Sequence, residues 1–585
     1  MIIRDTDLHA FLTSHERNAV RPLELQFIGN QGEGLLQWQV HFNQLSVTEM
    51  YNEYKIVINQ LMVAEMAEAK RLQLMNQVNK VAVRLMGQLR LEYQNQLGFL
   101  NERQQQTLDS VLSIYYLGVM FYHSVWQRIA EQPQAEAKGF LGGLFGTKSD
   151  SNDGLIEQCI YGMVNCLRLA LLEKHVGYRR DTHILWSYLH QCYRLVLLNQ
   201  WQHFSVALVS FEKSNSVLTQ SPLQLGQLYR HCILNELLNP YACRRPDLLA
   251  LQALSEHWVD DIRVEADNYS EPYIFVDLQG NQPPQIMHTG LDINPFAKHS
   301  ECLFISLDKL DQKLNNIIAK REQSDDMEVI LNARHAKLMY DNLVNALNPP
   351  IQYKPVDEPY QVVVGFKQIH YMVANRTSLG NLIHAHELPE RYRPSHQNIE
   401  KLNKSKAVSL VGQQDNHYHF THDYHYESDE LSQHISQSRT AQYTAIGQLQ
   451  VKSLIALRHT NDPQKTWYLG YVQSVCQSLQ RSPSDERSVK VSIDTWVDIF
   501  ASNMVACGIR IQKHGNRQPN FMPALVIPQN VSLNRQKTTI IMARYGYNLE
   551  DKLILRIDNK EVIIRLTKLV SHTDDIEEYM FVRVQ

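Results

Sequence analysis

No stretch of the sequence holds about 18 consecutive apolar residues, the run a membrane-crossing helix requires, so no membrane span is expected. The opening residues put Asp5 and Asp7 ahead of any apolar segment and lack the basic-then-apolar order of an export signal, so a cytoplasmic location is expected. None of the eight cysteines forms a CxxC pair and most sit in apolar periodic stretches, which points to reduced, buried thiols acting as small hydrophobes. Positive charge is not in excess. A formal net charge of -4 and a pI near 6.7 argue against a general nucleic-acid binder that works by neutralising phosphates.

Catalytic signatures are missing too. There is no GxSxG elbow, HExxH helix, P-loop or Rossmann glycine fingerprint in its required context. Gly146-Thr147-Lys148-Ser149 comes nearest to a phosphate cradle, but glycine does not directly precede the lysine and no apolar strand leads into it. Asp260, Asp261 and Asp494 read as isolated surface carboxylates, and His370, on an apolar helix face, as a hydrogen-bonded structural histidine. No catalytic residues are assigned, and the expected protein is not an enzyme.

What the chain does contain is a last third organised by nine short apolar runs: 451–457, 467–475, 488–493, 506–511, 524–527, 538–542, 552–557, 562–570 and 579–584. They are rich in Val, Ile and Leu and separated by turn residues such as Asn461-Asp462-Pro463 and Asp558-Asn559, the pattern of sequential strands in an antiparallel barrel or sandwich. Residues 552–570 form the best hairpin, and Gly470 permits a bend or close backbone approach within its strand.

With 585 residues, several domains are expected. Residues 1–138 form an N-terminal helical region in which Met50, Tyr54, Val57, Leu61 and Ala64 recur at helical spacing, with proline absent from 45 to 130. A glycine-rich linker, 139–154, follows, and then a helical, TPR-like bundle over 155–265 with short polar breaks but no clear 34-residue repeat. Residues 266–387 read as a mixed α/β module, with a strand running into a turn at 273–281, a strand at 360–366 and a long helical stretch, 307–347, between them. Residues 388–439 are poor in aliphatic side chains and read as a His-rich polar linker, and 440–585 as the barrel. The fold class is therefore multidomain α+β, a helical scaffold followed by a C-terminal antiparallel β-barrel.

The linker carries the most chemically suggestive cluster, His417, His419, His422, His425 and His434 among aspartates and glutamates. Imidazole and carboxylate suit zinc, but the spacing matches no HExxH or Cys/His finger, and ligands on a floppy loop must be ordered before they bind. A solvated linker without a dedicated metal is the expectation, with His417, His419, His422 and His425 the only candidates named for one.

In order along the chain, Trp186, Leu189-His190, Tyr193, Tyr229, Leu237 to Tyr241, Val276-Asp277-Leu278, Pro349-Pro350, Val364-Gly365-Phe366, Leu454 to Leu457, Trp467 to Val472, Pro523 to Pro528 and Tyr547 to Leu555 resemble a gammaproteobacterial family. Its members are described as PilZ-like and linked to cyclic-di-GMP signalling, and they join a long helical region to a PilZ-type barrel. The resemblance implies a non-enzymatic cytosolic regulator or adaptor, with proteins of a bacterial surface-structure or biofilm pathway as partners, cyclic-di-GMP as ligand and no other cofactor. Ligand-competent PilZ domains carry an RxxxR arm and a (D/N)xSxxG strand motif. Here the arm is absent, since Arg391-Tyr392-Arg393 has the wrong spacing, and the strand motif's counterpart is Ser436, Ser438, Arg439 and Ala441. Losing two guanidinium groups removes hydrogen bonds worth roughly 1.5–3 kcal/mol each, which favours an adaptor over a receptor. The alternatives are a helical scaffold or chaperone-like assembly protein with a purely structural barrel, and a metal-dependent enzyme using the His-rich segment.

Overall fold

The computed structural model describes residues 2–14, 20–22, 34–131, 153–206, 222–267, 273–288, 291, 293–297, 300–320, 326–347, 351–427, 449–464, 466–482, 485–512, 520–533, 535–573 and 575–584. These separate into two compact units, divided in the main near residue 350.

The first unit is built from helices α1 (Asp5–Thr13), α2 (Leu35–Phe42), α3 (Val47–Val63), α4 (Glu68–Leu91), α5 (Glu102–Glu131), α6 (Asp153–Val176), α7 (His183–Leu198), α8 (Leu225–Leu237) and α9 (Arg245–Ser255). At α3, Ser46 and Glu49 form a reciprocal cap, Glu49 N to Ser46 Oγ at 3.4 Å and Ser46 N to Glu49 Oε2 at 2.8 Å. The α3–α4 corner is held by Arg71, fully buried, which donates to the carbonyls of Leu61 and Ala64 and to Glu68, while Arg128 of α5 grips the same Glu68. Long α5 is buried on nearly every face and packs along α6. That pairing also explains α6, which is apolar enough to cross a membrane by length and composition: 72% of its apolar window is buried inside the helical unit, as befits a core helix.

A small antiparallel sheet, in the order β1 (Arg263–Glu265), β4 (Cys302–Ser306), β2 (Ile274–Asp277), β3 (Gln285–Ile286), and helices α10 (Asp308–Lys320) and α11 (Met327–Ala346) complete this unit. The stretch 266–387 is accordingly not one module. Its first part belongs here, whereas β5 (Lys354–Val364) and α12 (Phe366–Val373) belong to the second unit, the division falling at Asn348-Pro349-Pro350, where the helical pattern stops.

The second unit holds two closed six-stranded barrels rather than one. The first is made of β5, β6 (Lys406–Gln414), β7 (His417–Glu427), β8 (Leu454–His459), β9 (Tyr468–Ser482) and β10 (Asp485–Ser502), in the order β10-β7-β6-β5-β8-β9. Between β5 and β6 come α12, α13 (Leu379–Leu382) and α14 (Ile399–Leu402). The other barrel contains β11 (Val505–Ile511), β12 (Met522–Ile527), β13 (Thr539–Ala543), β14 (Lys552–Ile557), β15 (Lys560–His572) and β16 (Ile576–Arg583), in the order β11-β12-β13-β16-β15-β14. The nine apolar runs all fall on strands β8 to β16, but three close the first barrel and six form the second.

The 388–439 stretch is corrected on this point, because β6 and β7 lie inside it and are ordered strands, not linker. In β7, Tyr418, Phe420 and Tyr424 alternate with residues of the other face, and Phe420 is buried against Tyr360, ring centroids 5.5 Å apart. Aromatic residues do here what aliphatic ones do elsewhere. The β14–β15 hairpin turns at Asp558, whose φ of +52° suits the two-residue loop, with Ile557 opposite Lys560. A Cβ on Gly470 would sit 2.8 Å from the Asp498 carbonyl oxygen of the neighbouring strand, so the close approach expected there is present.

Candidate functional site

Among the described residues, the imidazoles of His417, His419 and His422 on strand β7 do not converge on a point. His417 Nδ1 pairs with Asp498, and His419 Nε2 with Asp494 at 3.0 Å, the His419 ring stacking on Trp496 with centroids 4.5 Å apart. His422 Nδ1 faces the Ala407 carbonyl at 3.2 Å, and burial, with Lys406 nearby, pushes its pKa down. His425 is on the same strand with its side chain outside the described residues, as are Ser436, Ser438, Arg439 and Ala441 altogether. Each of the three described imidazoles thus has a partner of its own.

Other residues singled out in the sequence find structural work. His370 is buried and donates from Nε2 to the Cys507 carbonyl at 3.0 Å. Asp494 pairs with His419 as above, and Asp260 is held by Arg230 at 2.8 Å. Asp261 is not a surface carboxylate: it is 6% exposed, and Lys313 and Lys309 hold its carboxyl below the usual range against the opposing effect of burial. All eight cysteines are buried and none is in a disulfide, and burial pushes the thiols of Cys159, Cys166, Cys192 and Cys232 up to about 12.

Among the described residues, the first barrel has a small cavity of about 30 Å³ lined by Val362, Lys406, Phe420, His422, Ile455 and Ile493.

A surface site forms instead where the segment after α13 crosses the second barrel. Pro389 opens a tight turn over Glu390–Tyr392, closed by Tyr392 N to Pro389 O at 2.9 Å. Phe521 N then donates to the Tyr392 carbonyl at 3.0 Å, and Leu388 and Tyr392 pack with Phe521 and Ile554. This docking puts two guanidinium groups on one ring: Arg391 lies 4.7 Å and Arg510, from β11, 4.2 Å from the Tyr392 centroid. Arg510 also covers Phe521 at 5.4 Å, and its Nε is buried without a hydrogen-bond partner among the described residues. Neither arginine has an ion pair among those residues. Arg393 is committed to the Leu388 carbonyl at 3.0 Å and so braces the turn. A second arginine pair stands on the first barrel. Arg458 lies 4.6 Å from the Trp467 ring and donates to Gln361 at 2.6 Å, and desolvation followed by the charge of Arg376 lowers its pKa.

Two guanidinium forks on an aromatic platform can grip phosphate oxygens and stack against a base. In the sequence these groups are far apart. Arg391 drew notice only for its wrong spacing, and Arg510 is one polar residue in an alternating strand, with no signal to mark it.

The architecture defines the class: a multidomain α+β protein with a helical N-terminal part and a C-terminal antiparallel barrel of the PilZ-like kind. Residues 33–268 match the family model described as "Cyclic-di-GMP receptor FimW, N-terminal domain", and residues 507–584 match "FimW C-terminal beta-barrel domain". The two matches follow each other in the order their names give and together take in more than half of the chain, which belongs to the FimW family. The second match coincides with the barrel β11–β16. No curated protein and no solved structure matches the chain.

Proposed function

We propose that the chain is a non-enzymatic, cytoplasmic cyclic-di-GMP receptor that passes the signal to other proteins of a bacterial surface-structure or biofilm pathway. Arg391 and Arg510 hold the nucleotide's phosphates, and Tyr392 serves as the platform beside them. The observation that carries the reading is the pair of guanidinium groups on one tyrosine ring, one with a buried Nε that has no partner among the described residues, in a chain of a family described as a cyclic-di-GMP receptor. The missing RxxxR spacing is thereby supplied across space, from two segments instead of one.

Calorimetric titration of the full chain with cyclic-di-GMP tests this. Saturable binding is expected, and Arg391→Ala with Arg510→Ala should weaken it at least about 100-fold, since charge-assisted hydrogen bonds contribute roughly 1.5–3 kcal/mol each and 1.4 kcal/mol is tenfold. Arg376→Ala with Arg458→Ala, and Arg439→Ala in the altered strand motif, should each change affinity less than about threefold. Unaltered binding in the first variant, or loss confined to either of the others, overturns the placement of the site. No binding by the unsubstituted chain overturns the receptor reading and leaves a helical scaffold with structural barrels.

A further inference from the structure

We propose that His384, His386 and Glu387 form a binding site for one transition-metal ion of the zinc class, on the turn that leads into the Arg391–Tyr392 segment. The site is independent of the four histidines of the 417–425 tract and of the nucleotide reading. Three donors of this kind, two imidazoles and a carboxylate, are a ligand set that leaves a fourth tetrahedral position to water.

The geometry is set by the backbone. His384 follows α13 in the left-handed region, φ +49°, a conformation that non-glycine residues adopt rarely, and Glu387 N closes the turn onto the His384 carbonyl at 3.1 Å. The reversal brings His384 back alongside His386, their rings stacked with centroids 5.7 Å apart. One ligand atom from each of His384, His386 and Glu387 lies within 4.8 Å of the others.

The carboxylate is aimed from outside the cluster. Arg556 of β14, only 6% exposed, donates from Nη2 to Glu387 Oε2 at 3.2 Å. Its remaining nitrogens are engaged elsewhere, Nε with the Ile383 carbonyl at 2.7 Å and Nη1 with Glu561 at 3.1 Å, so it cannot easily turn away. With Oε2 occupied, Oε1 faces the imidazoles, 3.5 Å from His384 Nδ1 and 3.9 Å from His386 Nε2. Both separations exceed a good hydrogen bond. They approach the edge of a tetrahedron drawn around an ion with ligands at about 2.0–2.1 Å, which is roughly 3.4 Å. An anchored guanidinium that orients a ligating carboxylate is the support that metal centres draw from their surroundings. Arg393, donating to the His386 carbonyl at 3.3 Å, steadies the same turn from its other end. Softness of the donors favours zinc, nickel or cobalt over magnesium or calcium, which take oxygen ligands.

The test uses the full chain, washed with chelator and titrated with Zn²⁺ against a competing chromophoric chelator. One equivalent should bind with saturation, and Co²⁺ should give the visible absorption of a tetrahedral or five-coordinate site. Glu387→Gln should weaken binding at least tenfold and His384→Ala with His386→Ala at least 100-fold, while His417→Ala with His419→Ala leaves it unchanged. The side chains of His386 and Glu387 are 78% and 44% exposed, so these variants should fold, which circular dichroism checks. An absence of saturable binding overturns the site. So does binding unaffected by the His384 and His386 substitutions, or binding lost only with His417 and His419.

Discussion

The imidazole of His370, on α12, makes one of the contacts with the second barrel, and its chemistry makes that contact sensitive to acid. The ring is 1% exposed, and its Nε2–H donates to the Cys507 carbonyl at the start of the second barrel. Burial pushes its pKa down to about 4, against an ordinary value near 6.5. In the folded state the ring therefore stays neutral while the unfolded chain takes up a proton, so stability is fully present above pH 6.5 and falls as pH drops from 6.5 towards 4. The shift is worth roughly 3 kcal/mol over that range. His370→Gln keeps an N–H donor and cannot titrate, so its urea-unfolding stability should fall less than that of the unsubstituted chain between pH 7 and 4, by about that amount. Parallel stability curves for the two proteins would show that His370 is not the acid-sensitive group. Its role as a structural histidine could be read from an apolar helix face, whereas its partner in another barrel could not.

At the scale of elements, the contact between α5 and α6 depends on two glycines. A Cβ on Gly162 would meet the Tyr122 ring at 2.6 Å, and one on Gly118 would meet Cys166 Sγ at 2.7 Å. Tyr122 is buried and has no free space to turn into, so the added methyl must be met by a shift of the helix. Gly162→Ala raises helix propensity by about 1 kcal/mol but overpacks the contact by typically 1–3 kcal/mol, and the balance should be destabilising. A fall in the denaturation midpoint with an unchanged m-value is the expected result; an unchanged or raised midpoint would mean that the helices separate without cost. Strands were legible to the extent that aliphatic side chains announced them. All nine apolar runs became strands, and the hairpin at Asp558 and the close approach at Gly470 took the form their residues implied. Strand β7 was hidden because one of its faces is made of Tyr418, Phe420, His422 and Tyr424, with no aliphatic residue, while His417 and His419 stand on the other. Closure into two barrels could not be read, since pairing such as that of β5 with β8 joins segments separated by three helices and two strands. The arginine cluster was invisible for the same reason, as Arg391 and Arg510 meet only after the segment beyond α13 has docked on the second barrel.

For the molecule as a whole, the distribution of buried side chains predicts how it comes apart. The large helical core runs from Leu8 to Leu343 and includes no residue of either barrel. The barrels, by contrast, share a core in which Val363, Leu454 and Leu469 of the first, with Phe366 and Ile369 of α12, pack with Leu525, Ile527, Ile541 and Ile576 of the second. Fully burying a large aliphatic side chain contributes about 1.5–3 kcal/mol, so exposing a shared set of this size would cost each barrel several such contributions. Residues 351–585, produced as a separate chain, should therefore fold, give the circular dichroism of antiparallel sheet, and melt in one calorimetric transition whose van't Hoff and calorimetric enthalpies agree. Two resolved transitions would mean that the barrels are energetically separate and that the shared apolar core couples them weakly. A fragment without cooperative unfolding would mean that the barrels draw their stability from the helical unit, contrary to the separation of the cores.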